Sequence, residues 1–261
     1  MNPKISIITI TYNSEKTLEE TIQSVISQGY DNLEYLIIDG GSTDHTLDIV
    51  NKYREHISYL VSEPDKGISD AFNKGIAAAT GEIVGIINSD DLLLPGALNT
   101  LSENYDASVE VYRGNIIIWD SEKNLKFKSI PSMVFKPELK GVVINHQATF
   151  VTKKAYEKYG VFKVNYRYMM DQDLLIRFYT QGAKFKYIDS EMAVSRCGGV
   201  TDHTNFKKGL KEYISMVKEN GGSNFLVFIM ALRVTIYGII KEIAIAIGIW
   251  DWLRSKKYKK I

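Results

Sequence analysis

The chain opens on an unbroken apolar run, ISIITIT at positions 5–11, β-branched at all but one position. A continuous run, as opposed to an alternating one, predicts a strand covered on both faces. In the next segment, TLEETIQSVISQ, residues Leu18, Ile22, Val25 and Ile26 fall on one helical face. Ser14 is placed to cap that helix and Gly29 to end it. Further strands are predicted over 33–38, 57–61 and 83–87. Between them lie helices starting at Ser42 or Thr43 and over 69–79, and Pro95 sits in the first turn of another. Strands alternating with helices imply right-handed crossovers and a mostly parallel, Rossmann-like sheet, an α/β fold.

Past residue 105 the alternation loosens. Residues 109–119 read as strand, 126–130 as its hairpin partner and 131–145 as loop, with helices over 153–158 and 171–181. This half is expected to complete the sheet and supply the second wall of a cleft. The last segment changes character. Residues 224–252 are rich in Ile, Leu and Phe, with Arg233, Tyr237 and Lys241 forming a narrow polar stripe at a spacing of four, and a basic RSKKYKKI follows. Arg233, Lys241 and Glu242 interrupt what a spanning helix requires, ~20 consecutive apolar residues. The pattern suits a helix in the membrane interface with lysines near anionic lipid, or an appendage packed on the catalytic domain or on a second subunit.

Composition narrows the class. The 261 residues carry 32 Lys and Arg against 31 Asp and Glu, a balance that gives no sign of nucleic-acid binding. The single cysteine, Cys197, excludes an intrachain disulfide and a Cys-rich zinc site. The N-terminal apolar run is short and has no cleavage pattern, which predicts a cytoplasmic protein.

The predicted strands end in polar clusters: Thr11-Tyr12-Asn13, then Asp39 to Asp44, Ser62 to Gly67, and Asn88-Ser89-Asp90-Asp91. Ligands of open parallel sheets bind outside these strand ends. Carboxylates gathered there raise one another's pKa or require a cation, and a hard divalent ion with oxygen ligands, Mn2+ or Mg2+, fits. Taken alone, Asp90-Asp91 reads as a turn and helix cap before Leu92; the acids at the other strand ends favour the metal. The loop after the first strand has no glycine, so the G-x-G-x-x-G dinucleotide fingerprint is absent, as is the P-loop pattern. A bound nucleotide is therefore held by side chains and a metal.

Together TYNSEKTLEETIQSVISQ, LIIDGGSTDHT and DKGISDAFNKGIAAATGEIVGIINSDD resemble the family 2 glycosyltransferases of GT-A fold, over roughly residues 4 to 200 by the extent of one ordinary domain. The resemblance implies a catalytic domain over 1–205, with a nucleotide-binding half to about 105 and an acceptor half over 106–205, and a helical tail over 206–261. It also implies inverting transfer from a nucleoside-diphosphate sugar, with UDP expected, to a glycan or lipid-linked acceptor in cell-surface polysaccharide synthesis. Asp39 matches the residue that bonds the base, Thr11 and Tyr12 the first-loop residues, and Asp65, Lys66 and Asp70 the lining of the nucleotide pocket. The D-x-D metal motif falls on Asn88-Ser89-Asp90, so Asp90 takes the ligand role and Asn88 remains able to bond ribose. Asp91 is assigned to supporting or capping work.

The family's acidic pair falls on Met170 and Asp171. Asp171 and Asp173 stand about 200° apart on a helix, so only one faces the site. Asp171 shares a face with Leu174, Leu175 and Phe178 and is the inward carboxylate, the better base; Asp173 can pair with Arg177 on the surface. The sign of the Asp171 shift is open, because burial and the helix dipole oppose each other. His146-Gln147 resembles an H-Q element beside the donor or acceptor, with a hydrogen-bonded core histidine as the alternative. Residues 195–204, including two glycines, look like a closing loop that brings His203 to the phosphates, or like plain surface loop. Two competing functions stay open: a catalytically weak nucleotide-sugar or glycan binder on the same scaffold, suggested by Asn88 and Met170, and a nucleotidyltransferase, which needs the glycine-rich loop that is missing. The tail suggests contact with the cytoplasmic face of a membrane, or oligomerisation.

Overall fold

The computed structural model describes residues 2–121, 123–135, 142–197, 206–250, 252–253 and 259–260. Strands β1 (Ile5–Thr11), β2 (Leu33–Asp39), β3 (Tyr59–Ser62) and β4 (Ile83–Asn88) pair in parallel in the order 3-2-1-4. Side chains alternate between two cores. Ile8, Leu36, Ile38, Val84 and Ile86 face one, which includes Phe72 and Ile76 of α3 (Ile68–Ala78). Ile5, Ile7, Tyr35, Ile37 and Ile83 face the other, with Leu18, Ile22 and Val25 of α1 (Leu18–Ile26). Burial on both faces is why these strands read as continuous apolar runs. The strand order reverses at β1, which has β2 on one side and β4 on the other, and this opens a crevice at the strand ends.

The second half is mixed. A two-residue β5 (Leu92–Leu93) precedes β6 (Val111–Asp120), β7 (Leu125–Ser129), β8 (Thr149–Thr152) and β9 (Phe185–Arg196). β8 runs antiparallel to β4 and joins the halves, while β9 lies parallel to β6 and antiparallel to β5. A two-residue β10 (Lys259–Lys260) edges β7. The helices here are α4 (Ala97–Glu103), α5 (Lys153–Tyr159), α6 (Met170–Thr180), α7 (Phe206–Glu219) and α8 (Asn224–Ala246).

Several local expectations are corrected. Ser14 does not cap α1 through its side chain, since its hydroxyl bonds the Tyr12 carbonyl and Ser89. α2 (Thr46–Lys52) starts later than Ser42 or Thr43, because those residues form the loop wrapped on Asp39. Pro95 lies just ahead of α4, whose N-cap Gly96 is left-handed, and β5 fills the space where a cap before Leu92 was expected. Tyr213, Met216 and Val217 of α7 are buried in the same core as Leu174 and Leu175 of α6.

Gly85 in β4 shows how closely the side chains of its two paired strands, β1 and β8, meet over it. A Cβ there would stand 2.7 Å from Phe150 and 2.8 Å from Ile7. Gly85→Ala should therefore destabilise the fold by about 1–3 kcal/mol through overpacking. A urea midpoint unchanged from wild type would show that the strands part without strain.

Candidate active site

The crevice at the β1/β4 switch is a cleft of about 1710 Å³. Three loops build one wall of it. Asn13, left-handed at φ 49°, turns the chain out of β1, and its side-chain carbonyl accepts the Thr43 N–H at 2.8 Å. Ser42 Oγ accepts the Asn13 N–H at 2.8 Å, Thr46 Oγ1 accepts the Ser14 N–H, and Ser14 and Ser89 share a hydroxyl bond of 2.8 Å. The loops after β1, β2 and β4 are thus tied together. Thr11, Tyr12, Ser89 and Asp90 from the ends of β1 and β4, with Asp65 from the loop after β3, line the cleft. Tyr12 is 61% exposed. A Cβ on Gly40 would fall 2.6 Å from the Asp65 carboxylate and 3.4 Å from the Tyr12 ring, so the missing side chain lets the acid and the aromatic face close over one spot.

Asp39, Lys66 and Asp70 stand off this wall. The Asp39 carboxylate is fully buried and takes hydrogen bonds from the Gly41 and Ser42 N–H groups and from the Ser42 and Ser62 hydroxyls. It holds the loop whose Gly40 and Gly41 face the cleft. Asp70 accepts the Lys66 N–H at 3.0 Å at the start of α3 and lies 3.8 Å from Lys74.

At the end of β4 the two adjacent acids part company. Asp91 is buried; one oxygen accepts the Arg196 N–H, and the other accepts from Gln147 at 2.8 Å and from Asn88 at 3.3 Å. It ties β4 to β9 and to the 3-10 turn His146–Ala148. Burial, and then the neighbouring Asp90, push it up to about 6. Asp90 lines the cleft, and burial raises its pKa against the lowering influence of His146 and Arg196.

Asp171 in the first turn of α6 lines the same cleft, as do His146 and Gln172. Its side chain is 21% exposed. Leu174, Leu175 and Phe178 are buried below it, as the shared face requires. Oδ1 is buried with no hydrogen-bond partner, and Oδ2 lies 3.6 Å from His146 Nδ1. A small apolar-walled cavity of about 20 Å³, lined by Phe72, Tyr156 and Phe162, also touches it. Burial wins over every opposing influence and raises its pKa, with His146 and then Arg113 pulling the other way. Asp173, expected at the surface, is instead fully buried; it does pair with Arg177, at 2.8 Å, and also with Lys163.

Sequence reasoning missed Arg113, read only as part of a strand. It is fully buried, and its guanidinium donates to the carbonyls of Ser132, Val143 and Ile144 and lies over the Phe135 ring. An arginine inside the apolar run VEVYRGNIIIW was the available signal. Also missed was the part of the tail in the cleft: Tyr237, Lys241 and Trp250 line its far side, with Lys241 over the Trp250 ring at 5.5 Å. His203 lies outside the described residues.

The donor set suits a hard divalent ion that arrives with its ligand. Asp90 supplies a cleft-facing carboxylate, and Asn88 Oδ1 is buried without a partner. Among the described residues no cluster of three or more His, Cys, Asp or Glu could hold a metal by itself. One or two protein oxygens completed by phosphate oxygens and water is the usual Mg2+ arrangement.

This architecture has counterparts. It resembles crystal structures of S. aureus TarS 1-349 with UDP-GlcNAc (TM-score 0.64, 20% identity, 83% of this chain and 66% of that one). It also resembles the mannosyltransferase PcManGT of Pyrobaculum calidifontis with GDP-Man and Mn2+ (0.62, 19%, 91% and 70%). These likenesses give the GT-A fold. In sequence, EpsE of Bacillus subtilis, named as a glycosyltransferase, is 31% identical over 193 residues, 69% of this chain and 68% of EpsE. A PGL/p-HBAD biosynthesis glycosyltransferase of Mycobacterium bovis is 29% identical over 195 residues, 69% and 72% of the two chains. Residues 6–189, from the first strand through α6 and into β9, match the description of Glycosyl transferase family 2, and the chain belongs to that family.

Proposed function

We propose that the protein transfers a sugar, with inversion, from a nucleoside-diphosphate sugar to a hydroxyl of a glycan or lipid-linked acceptor. The observation that carries this reading is Asp171, a half-buried carboxylate with one buried, unpartnered oxygen, sharing one cleft with Asp90 and the Tyr12–Gly40–Asp65 pocket. The Tyr12 ring and Asp65 receive the base, and Asp39 acts on it by holding the 40–44 loop. UDP is the expected nucleotide, supported by the UDP-GlcNAc in the TarS structure. Asp90, with Asn88 Oδ1, would hold a divalent ion, Mn2+ or Mg2+, which when bound neutralises charge growing on the departing diphosphate. Asp171 orients the acceptor hydroxyl opposite the leaving group and accepts its proton as the new C–O bond forms and the bond to the diphosphate breaks. The sugar itself is fixed by small features of the pocket wall, and a hexosyl or N-acetylhexosaminyl donor is expected.

The tail is part of the same proposal. Phe225, Phe228, Leu232, Ile236, Ile239 and Ile243 of α8 are exposed along one stripe at helical spacing. Among the described residues no helix is long and apolar enough to cross a membrane. A stripe beside a basic end suits an anionic lipid surface, reached from the cytoplasmic side, that brings a lipid-linked acceptor to the cleft. Co-sedimentation with anionic vesicles should be lost when Phe225 and Phe228 become Ser; a concentration-dependent dimer with no vesicle binding would favour the oligomer instead.

A donor screen by melting temperature tests the reading directly. UDP-sugar with Mn2+ should raise the Tm, by RT ln(1 + [L]/Kd) in free energy. Asp90→Ala should remove the metal-dependent part of that rise. Binding without turnover on any acceptor would favour the binder, to which Asn88 and a buried Met170, in contact with Ser69, lend support.

A further inference from the structure

The residue that departs from the family's metal motif, Asn88, has a partner that no acid at this position could serve in the same way. Its side-chain nitrogen lies 3.3 Å from Asp91 Oδ2 and 3.0 Å from His146 Nε2. The orientation of the amide follows from Asp91, whose two oxygens accept from the Arg196 backbone and from Gln147. A carboxylate already serving as acceptor on both oxygens faces the NH2 end of Asn88, not its carbonyl. Both amide protons are then assigned, one to Asp91 and one to His146 Nε2. An imidazole that accepts at Nε2 carries its proton on Nδ1 when neutral. Nδ1 is the nitrogen that faces Asp171, 3.6 Å from Oδ2.

The ring is held from behind. His146 opens a 3-10 turn whose preceding residue, Asn145, is left-handed at φ 43° and exchanges two hydrogen bonds of 2.9 Å with Ser129. Arg113 binds the Val143 and Ile144 carbonyls just before it. The backbone of the turn is thereby fixed, and the amide of Asn88 decides which nitrogen bears the proton.

We infer that Asn88 is a positioning residue acting through His146: it fixes the imidazole as the Nδ1–H tautomer and aims that proton at Asp171. The inference rests on the reading of Asp171 as the base. At 3.6 Å the His146–Asp171 contact is longer than a hydrogen bond. Such contacts in ligand-free sites tighten in the substrate complex. The Nδ1–H then holds the carboxylate at Oδ2 and fixes its orientation toward the cleft, where the acceptor hydroxyl arrives. An aspartate at 88 presents only acceptors, so the same ring must carry its proton on Nε2 and turn a lone pair toward Asp171. The asparagine thus serves the base through a ring nitrogen.

The test reads the ring itself. In full-length protein with 15N-labelled histidine, at a pH above the imidazole's ordinary range, long-range proton–nitrogen correlation identifies the protonated nitrogen. The His146 signals are those lost in His146→Asn. Wild type should carry the proton on Nδ1, and Asn88→Asp should move it to Nε2. Asn88→Asp should also lower kcat about 10–100-fold, the scale seen when a supporting partner is lost, while UDP with Mn2+ still raises the Tm. Among ring replacements, His146→Asn, whose amide can stand in for Nδ1, should outperform His146→Gln, which reaches only toward Asn88. A wild-type proton on Nε2, or equal rates for the two His146 variants, overturns the relay. A protein that turns over no donor yet shows the Nδ1 proton would remove the transferase reading and leave the tautomer assignment standing.

Discussion

Asp171→Asn should lower kcat by about 10²–10⁴-fold, the contribution of a positioned general base. The change is isosteric and removes only the basic electron pair and the charge. Donor binding, read as the Tm rise with UDP and Mn2+, should persist, because Asp171 lies on α6 and the proposed nucleotide pocket is lined from the loops after β1 to β4. The wild-type rate should also fall as pH drops through the raised pKa of this carboxylate, so the acid limb sits above the ordinary Asp value of 3.8. The sign for stability is the reverse. A carboxyl whose folded pKa is raised contributes stability that is complete below its unfolded pKa and lost as pH rises through the folded one. For Asp91 that window runs from the ordinary 3.8 to about 6. Asp171→Asn removes a half-buried carboxylate short of partners and should leave the unfolding midpoint at pH 7 unchanged or raised. Wild-type turnover in this variant would assign the base elsewhere.

What the sequence could reveal follows from how locally each feature is encoded. The parallel half was legible because each strand is buried on both faces and reads as a solid apolar block, as in Ile5–Thr11. The inward position of Asp171 was legible because Leu174, Leu175 and Phe178 share its face within one helix. Features set by distant partners were hidden. β5 has two residues, too few for any periodicity, and exists only because β9 lies beside it. Asp39 looks from the sequence like a strand-end acid open to ligand, but the loop after it folds back and takes its oxygens. The direction of the Asp171 shift needed the surrounding aromatic cavity, since the helix dipole alone argues for the opposite sign. The burial of Asp173 depends on residues 47 positions away at the end of α7, where Asn220 lies 3.1 Å from it.

That burial sets up the second large effect. Asp173→Ala should destabilise the protein by about 3–5 kcal/mol, as expected when one partner of a buried ion pair is removed and the other is stranded. The carboxylate is fully buried and accepts from Arg177 Nε at 2.8 Å, Lys163 at 3.1 Å and Asn220 at 3.1 Å. It thereby ties α6 to the segment after α5 and to the end of α7. The loss should fall toward the lower end, because Arg177 keeps the Tyr159 and Val161 carbonyls and Lys163 keeps Glu219. Against a typical stability of about 5–15 kcal/mol, this is enough to shift the urea midpoint well clear of error. At temperatures where the variant stays folded, kcat should hold, since Asp173 points away from the cleft. Asp171 and Asp173 thus stand two residues apart with opposite assignments: one is needed for turnover and dispensable for folding, the other the reverse. If Asp173→Ala unfolds at the wild-type midpoint, the ion cluster is solvated and α7 is not anchored through it. If instead it loses turnover while fully folded, the two carboxylates have exchanged roles and the orientation of α6 toward the cleft is wrong.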